Sequence, residues 1–403
     1  MFDRFFLFRR GPVLAMLALF LLAYAYVYGW RLIGSDFIDL PAFWVAVKIA
    51  FELQLSPYGP GFAEVAEELA GGYVHPFLYP PTTLLLLAPL AAFDLEAAGT
   101  AMLAINLCAG IATGGLLALL VGSGRATMIA IALGVMLVLA AQATRQTLGH
   151  GQVNLMVLAF LLAGILALHR GLSPVTTALF LAIAILLKLY VGLILLCLVL
   201  HCRWREAAVT LAWLAVLSIG SLAAVPLASW PGWVEHVLLA SADAGALAGQ
   251  FDLASPRNIA LTGLVLRWMP EAELARHGLA ACLVLTTIAA SLWLRRDTGP
   301  DLAEIGAYLC LVLLLAPNSW VHYMVFALPA LYAAGATAWR RRSWLIALPV
   351  AALGLVLMQN PAGPLGLFSS PGDLLTLAAI GIWALAILTA ILEGRTVHRA
   401  ARP

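Results

Sequence analysis

The sequence is poor in charged residues. Of its 403 residues only 20 are Asp or Glu and 22 are Lys or Arg, which together make up 10% of the chain. A water-soluble domain has roughly 25% charged residues, so this composition argues against a soluble globular protein. With 63% hydrophobic residues and a mean hydropathy of +0.99, the chain is typical of an α-helical protein that crosses a membrane many times.

Motifs for several other kinds of chemistry are also absent. The five cysteines form no CxxC pair, so we predict small buried thiols, with neither a disulfide framework nor a metal site. No segment has the G-x-x-x-x-G-K-[ST] form of a phosphate-binding loop, which argues against ATP-driven chemistry. No basic tract is present, so a nucleic-acid partner is not expected.

Hydrophobic runs recur along the whole sequence. We expect about twelve transmembrane helices of roughly 15–25 residues each, in a single all-α domain of residues 1–403. The first run follows a basic segment and is interpreted as an uncleaved span whose amino terminus lies in the cytoplasm. The runs lie at about 12–30, 97–121, 127–143, 152–168, 174–187, 190–202, 207–228, 277–295, 303–316, 323–338, 343–358 and 373–392.

Basic residues between the runs test this orientation. With twelve spans, every dense cluster of Arg and His falls on the cytoplasmic side, as the positive-inside rule requires. The agreement requires that Pro80–Phe93 does not cross, and we expect this short run, which contains Pro89, to lie on or dip into the outer leaflet. The alternative is that it is an ordinary span, in which case one long helix over residues 174–202 would restore the orientation.

Polar residues gather on the predicted outer side. Two large outer loops, at about 32–96 and about 228–276, hold most of the residues that are unsuited to lipid. Ionisable groups near a bilayer are costly, so they indicate a functional site. The candidates are Asp36, Asp39, Tyr58, Tyr79, His150, Gln152, Asn154, Lys188, Arg257, Asn258, Arg267, Trp320 and His322.

This set of side chains suits group transfer from a lipid-linked phosphate. A carboxylate can remove a proton from an acceptor hydroxyl, and cations can stabilise the phosphate as it leaves. A transporter or flippase for a lipid-linked or polar solute could use the same charges as a relay. Transporters, however, usually have internal repeats and charges near the bilayer midplane, and neither is evident in this sequence.

Six short motifs, in order along the sequence, resemble glycosyltransferase family 87. Each motif alone is weak, but together they extend from about residue 39 to residue 322. They are Asp39-Leu40-x-x-Phe43-Trp44-x-Ala46 followed by Pro57-Tyr58; Phe77-x-Tyr79-Pro80-Pro81; Gly151-Gln152-x-Asn154; Asn258-x-Ala260-Leu261-x-Gly263 with Arg267; and Pro317-x-Ser319-Trp320-x-His322.

The resemblance implies a GT-C membrane fold with surface helices in its large first outer loop. It also implies an inverting glycosyltransferase that uses a polyprenyl-phosphate sugar, for which mannose is the expected hexose. The acceptor would be a lipid or glycan, and the active site would face the outside of the cytoplasmic (inner) membrane, or the periplasm. No cofactor or metal is expected beyond the donor lipid.

The resemblance assigns the essential acid of the first outer loop to Asp39, with Asp36 as the other candidate. Asp39 would remove the acceptor proton, while Lys188, His322 and either Arg257 or Arg267 would receive the phosphate. Alternative structural roles remain open for several of these side chains: Asp39 as a helix cap, Lys188 reaching to the interface and Trp320 as an interfacial anchor. The other predicted substrate contacts are Tyr58, Tyr79, Gln152, Asn154 and Asn258.

Overall fold

The computed structural model describes residues 18–23, 37–59, 61–122, 126–239, 252–295, 299–358 and 371–400. Within these ranges the chain forms helices and no β-strand, which agrees with an all-α protein. Residues 18–23, inside the predicted first span, are helical. Asp36, the second candidate acid, lies outside the described residues.

The helices are connected mostly by short turns. Three 3₁₀ segments, Ala88–Ala92, Leu189–Leu193 and Val321–Ala327, and one π-helical segment, Val234–Leu239, adjoin α-helices. The α-helices are α1 Leu40–Phe51, α2 Phe62–Ala70, α3 Pro81–Leu87, α4 Leu95–Val121, α5 Met128–Ala140, α6 Gln142–His150, α7 Asn154–His169, α8 Pro174–Leu187, α9 Ile194–Leu200, α10 Trp204–Ala224, α11 Ser229–Trp233, α12 Leu261–Trp268, α13 Glu273–Leu294, α14 Leu302–Leu315, α15 Leu328–Arg341, α16 Trp344–Met358 and α17 Pro371–Ala400.

The helix lengths establish a multi-pass membrane protein. Among the described residues, five helices are candidate membrane spans by their own length and composition. The helices α5 and α6, whose axes differ by 62°, together form a sixth candidate. Seven shorter apolar helices of 10–17 residues also occur. The predicted total of twelve spans therefore stays a prediction. Five helices in the described part of the chain are long and apolar enough to cross a membrane: Leu95–Val121, Trp204–Ala224, Leu274–Leu294, Val321–Arg341 and Gly372–Gly394.

Capping residues in the sequence determine where several spans begin. Asp94 precedes α4, and its carboxylate accepts a hydrogen bond from the Ala97 amide at 2.7 Å. Ser173 does the same for the Thr176 amide at 3.1 Å, and Pro174 occupies the first position of α8. Such residues satisfy amide groups that have no partner inside the helix, so each helix starts at a defined residue.

Glycines allow α4 and α5 to pack backbone against backbone. A Cβ atom on Gly114 would lie 2.4 Å from the Val135 amide nitrogen, and one on Gly134 would lie 2.3 Å from the Gly114 carbonyl oxygen. Close approach at small residues is a common way to join helices in a membrane, where no hydrophobic force acts between them.

The predicted first outer loop contains three α-helices, α1, α2 and α3, in its described residues, and it packs on the helical bundle. The Trp44 indole donates to the Phe93 carbonyl at 2.9 Å, and the Thr83 hydroxyl donates to the Leu186 carbonyl at 2.6 Å. The continuous helix Pro81–Ala92 is about 18 Å long at 1.5 Å per residue, which is shorter than the roughly 30 Å hydrocarbon core. It is too short to cross as one helix, while its place in the outer leaflet stays a prediction.

A break in the helices positions Lys188. The helix α8 ends at this residue, whose backbone is extended with φ −157° and ψ 99°, and the 3₁₀ segment Leu189–Leu193 follows. The predicted runs at 174–187 and 190–202 are thus separate helices, and Lys188 lies between them, directly after the end of α8.

Candidate active site

A cavity of about 590 Å³ joins segments that are far apart in the sequence. Its walls come from both predicted outer loops, from the end of α6, from the turn after α8 and from the segment before α15. Eight of the candidate residues line it: Asp39, Tyr79, His150, Gln152, Lys188, Arg257, Trp320 and His322.

Asp39 is held by His150 at one wall of the cavity. The Asp39 Oδ2 atom lies 3.1 Å from His150 Nδ1, and the Asp39 amide donates to the His150 carbonyl at 3.0 Å. Although Asp39 directly precedes α1, its carboxylate forms no capping hydrogen bond. The structure therefore does not use this carboxylate as a helix cap, and its oxygens face the cavity and the histidine.

The surroundings of Asp39 keep its carboxyl group ionised. Burial alone raises the pKa of Asp39, but the hydrogen bond from His150, the nearby His322 and a hydrogen bond from Gln152 lower it by more. The resulting pKa is about 2, compared with an ordinary value of 3.8. Asp39 is therefore a carboxylate at physiological pH, in the protonation state that a general base requires.

His150 and His322 form a pair beside this carboxylate. Their ring centroids are 5.1 Å apart, and His322 is buried with 3% of its surface exposed. Neither ring nitrogen of His322 has a hydrogen-bond partner in the described part of the chain. A buried imidazole with unsatisfied nitrogens on a cavity wall is suited to contact a bound ligand.

The same three side chains have the spacing of a metal site. One donor atom each from Asp39, His150 and His322 lies within 4.8 Å of the others. Carboxylate and imidazole groups are common ligands of divalent ions. The geometry therefore suits either an ion or the phosphate and hydroxyl groups of substrates.

Lys188 lies at the cavity wall with its ammonium group fixed by neutral partners. Its Nζ atom donates to Asn154 Oδ1 at 2.7 Å and sits 3.4 Å from the centroid of the Tyr323 ring. Lys188 is only 4% exposed, and among the described residues it forms no ion pair with a carboxylate. A buried amine without a counter-ion is suited to bind an anion, because the anion favours the charged form of the amine.

Asn154 and Tyr58 do not line the cavity, but they form hydrogen bonds with residues of its wall. Asn154 Nδ2 donates to the His322 carbonyl at 3.2 Å, so this amide connects Lys188 to the segment that carries His322. The Tyr58 hydroxyl donates to the Tyr79 carbonyl at 2.7 Å, and the Tyr79 hydroxyl donates to Gln152 Oε1 at 3.0 Å. Tyr79 and Gln152 thus reach the cavity as a hydrogen-bonded pair.

The arginines and Asn258 of the predicted second outer loop divide into two groups. Arg257 is exposed and lines the cavity. Arg267 pairs with Asp373 at 2.7 Å, and the Asn258 side chain accepts from the Ser319 amide at 3.0 Å. Neither Arg267 nor Asn258 lines the cavity, so the structure gives them a structural role, and their contact with a substrate stays a prediction.

His150 is the residue that sequence reasoning left without a role. It ends α6 and is followed by Gly151, which has a left-handed φ of +69°. A Cβ atom on Gly151 would lie 2.6 Å from Leu40 Cβ, so glycine permits the start of α1 to approach. The signal available in the sequence was a histidine flanked by glycines at the mouth of a span, but its partner could be found only from the fold.

Comparison with known proteins gives the same family by two routes. Residues 77–317 match the model of glycosyltransferase family 87. The chain is 30% identical over 358 residues to a polyprenol-phosphate-mannose-dependent alpha-(1-2)-phosphatidylinositol mannoside mannosyltransferase of Mycolicibacterium smegmatis, covering 81% of this chain and 77% of the relative. It is 28% identical over 300 residues to a protein of the same name from Mycobacterium tuberculosis, covering 70% and 67%.

Proposed function

Because the chain belongs to glycosyltransferase family 87 and is a polyprenyl-phosphate-sugar-dependent glycosyltransferase, we propose that its cavity transfers mannose to a lipid or glycan acceptor. The names of the two relatives support mannose as the hexose and a phosphatidylinositol mannoside as the class of acceptor. We place the reaction on the outer side of the cytoplasmic membrane, since the positive-inside rule applied to the sequence assigns the dense arginine clusters to the cytoplasm and the loops that line the cavity to the outside.

One observation carries the proposal: Asp39 and Lys188 line the same cavity. They come from the first outer loop and from the break after α8, and each is held by a neutral or imidazole partner. A negative and a positive group that face one space without pairing can bind the two ends of a reacting bond.

Asp39 is the general base of the proposed reaction. It takes the proton of the acceptor hydroxyl as the hydroxyl oxygen bonds to the anomeric carbon of the sugar. The bond between that carbon and the phosphate oxygen breaks, and its electron pair leaves with the phosphate. Attack from the side opposite the phosphate inverts the configuration of the anomeric carbon.

The leaving phosphate is stabilised by Lys188, His322 and Arg257, which line the same cavity as Asp39. Lys188 supplies an amine that Asn154 holds in place and that the phosphate keeps protonated, and the two ring nitrogens of His322 supply hydrogen-bonding groups. Arg257, exposed on the wall, adds a guanidinium group that can bind two phosphate oxygens at once. Tyr79, Gln152 and Trp320 line the remaining wall and are suited to contact the hydroxyl groups and the ring of the sugar.

The deciding experiment compares Asp39→Asn with wild-type enzyme. Purified protein in detergent is given labelled polyprenyl-phosphate mannose and a mannolipid acceptor, and labelled product is measured. We expect loss of at least about 10²-fold in rate, the usual contribution of a general base. Glu64→Gln, an exposed acid of the same outer loop, should retain full activity.

Asp36→Asn belongs in the same comparison because Asp36 is the other acid of this segment. Equal product from wild type and Asp39→Asn, with loss in Asp36→Asn, would transfer the role of base to Asp36. Turnover in neither wild type nor variants, with the lipid donor intact, would contradict the proposed donor.

We propose that no metal takes part in the reaction. Brief treatment with EDTA should leave the rate unchanged, because Asp39 and Lys188 supply the charges that an ion would otherwise supply. Loss of activity that Mg²⁺ or Mn²⁺ restores would instead place an ion between Asp39, His150 and His322, whose donor atoms have the required spacing.

A further inference from the structure

A second cluster of ionisable side chains lies outside the cavity. Cys197 is in α9, and His201 directly follows the last residue of this helix. Because the two residues are four positions apart, their side chains lie on the same side of the helix. Glu304 is in the first turn of α14, which packs against α9. One donor atom from each of the three side chains lies within 4.8 Å of the others.

The cluster is sealed from solvent. Cys197, His201 and Glu304 are 0%, 2% and 1% exposed, and none of them lines the active-site cavity. His201 Nε2 lies 2.8 Å from Glu304 Oε1, and Cys197 Sγ lies 3.9 Å from the same oxygen. A thiol, an imidazole and a carboxylate thus meet at one buried point.

We propose that Cys197, His201 and Glu304 bind a zinc ion. Zinc bonds to sulfur at about 2.3 Å and to nitrogen and oxygen at about 2.0–2.2 Å, so donors around one ion lie roughly 3–4 Å apart. The separations in the cluster agree with this spacing after small side-chain movements. Three protein ligands leave the fourth tetrahedral position to a water molecule.

Charge supports the ion at this buried position. A zinc ion with a thiolate, a carboxylate and a neutral imidazole has no net charge, which a low-dielectric interior tolerates. The metal-free alternative is a hydrogen bond between His201 and Glu304, with the Cys197 thiol donating a weak hydrogen bond to the same Glu304 oxygen.

The site lies far from the reaction. His201 follows Lys188 by thirteen residues in the sequence, which corresponds to about 20 Å along a helix. Under the proposed orientation, it lies near the cytoplasmic end of α9, where Arg203 follows. The ion would therefore join α9 to α14 as a structural clamp, without contact with substrates.

The test is metal content and Co²⁺ spectroscopy of the full-length protein, purified in detergent with a tag that lacks histidine. We expect about one zinc per chain. Cobalt exchanged into this site should give a near-ultraviolet charge-transfer band from the thiolate. Both signals should be lost in Cys197→Ser and retained in Cys310→Ser, since Cys310 is an equally buried cysteine of α14 outside the cluster.

Wild-type protein with no zinc and no thiolate–cobalt band would overturn the proposal. The His201–Glu304 pair would then explain why these side chains meet. If Cys197→Ser does not fold, the wild-type spectrum still decides, and Glu304→Gln provides a second variant expected to weaken binding. None of these readouts depends on mannosyl transfer, so failure of the proposed reaction would not affect them.

Discussion

The hydrogen bond between Asp39 and His150 couples the proposed base to a side chain more than 100 residues away. The imidazole fixes one carboxylate oxygen and thereby orients the carboxylate toward the cavity that would hold the acceptor hydroxyl. Because the bond favours the ionised carboxylate, it also sets the pH at which Asp39 becomes protonated. His150 is a positioning residue in this scheme.

Replacing His150 should change the pH dependence of the rate. A base with a pKa of about 2 stays ionised at any pH where the enzyme is folded, so Asp39 should cause no acid limb in the wild type. Without the hydrogen bond, burial raises the pKa, and activity should fall as the pH drops through the higher value. In His150→Phe, kcat should therefore show an acid limb that the wild type lacks, because the pKa of Asp39 rises above its wild-type value of about 2.

His150→Asn is the matched control for this prediction, because its amide can donate a hydrogen bond to Asp39 in place of Nδ1. Its rate should be higher than that of His150→Phe, and its acid limb should lie at lower pH. Identical pH profiles for both variants and wild type would show that His150 does not act on the protonation of Asp39.

Lys188 offers a second prediction, because the chain has only two lysines. Lys188→Met should reduce kcat by about 10²–10³-fold, the usual loss when one group that stabilises transition-state charge is removed. Lys48→Met is the control, because Lys48 forms a surface ion pair with Glu52 on α1. A surface pair contributes about 1 kcal/mol or less, so this variant should remain active. Equal rates for the two variants would contradict phosphate binding by Lys188.

Some of the site residues could be predicted from the sequence, and others could not. Asp39, Lys188 and His322 stand out because ionisable residues are rare in an apolar chain. Arg267 has the same chemistry as Arg257, yet it pairs with Asp373 in the structure. A sequence shows which side chains are available, but it does not show which of them are already paired.

At the scale of helices, the contact between the end of α6 and the start of α1 determines where Asp39 points. Gly151 makes this contact possible, because it has no Cβ atom and accepts a positive φ. The backbone hydrogen bond from Asp39 to His150 depends on the same approach. A change at this glycine should therefore affect catalysis without removing any reacting group.

Gly151→Ala should lower both stability and activity. Its left-handed conformation costs roughly 1–2 kcal/mol with a Cβ atom, and that atom would also collide with Leu40. Gly171→Ala separates the two effects, because Gly171 has a φ of +64° and a Cβ atom added there would meet nothing within 4 Å. We expect a lowered Tm in both variants and a loss of kcat, of about tenfold or more, only in Gly151→Ala. Equal kcat values would contradict this role of the contact.

The helix boundaries were predictable where capping residues occur and less so where the chain bends. The start of α8 at Pro174 agrees with the predicted run. The run at 127–143, by contrast, contains a break at Ala141, where the chain turns by 62° into α6. Hydropathy records how apolar a segment is but not its direction, so the bend that delivers His150 to the cavity was not visible.

For the whole molecule, the sequence predicts opposite sides for the acidic site and the arginine clusters. The structure provides exposed positions on both: Ile38, next to Asp39, is 54% exposed, and Trp339, next to the Arg340–Arg342 cluster, is 86% exposed. These positions allow the predicted orientation to be measured in intact cells.

Cysteine labelling tests the orientation directly. In intact cells, or in spheroplasts where an outer membrane is present, Ile38→Cys should react with a membrane-impermeant maleimide. Trp339→Cys should react only after the membrane is disrupted. The reverse pattern would place the active site in the cytoplasm and contradict the positive-inside assignment. The background variant replaces the exposed native cysteines Cys108, Cys202 and Cys282 with serine.

The carboxyl-terminal helix holds part of the cavity wall in place. Asp373 of α17 pairs with Arg267, and the Gly372 amide donates to the Pro256 carbonyl at 2.7 Å, beside Arg257. Both partners come more than 100 residues after the loop that they support. A nascent chain that has inserted only the helices before α17 therefore lacks the support for Arg257, and we expect this cavity wall to be complete only once α17 has been synthesised and has entered the bilayer.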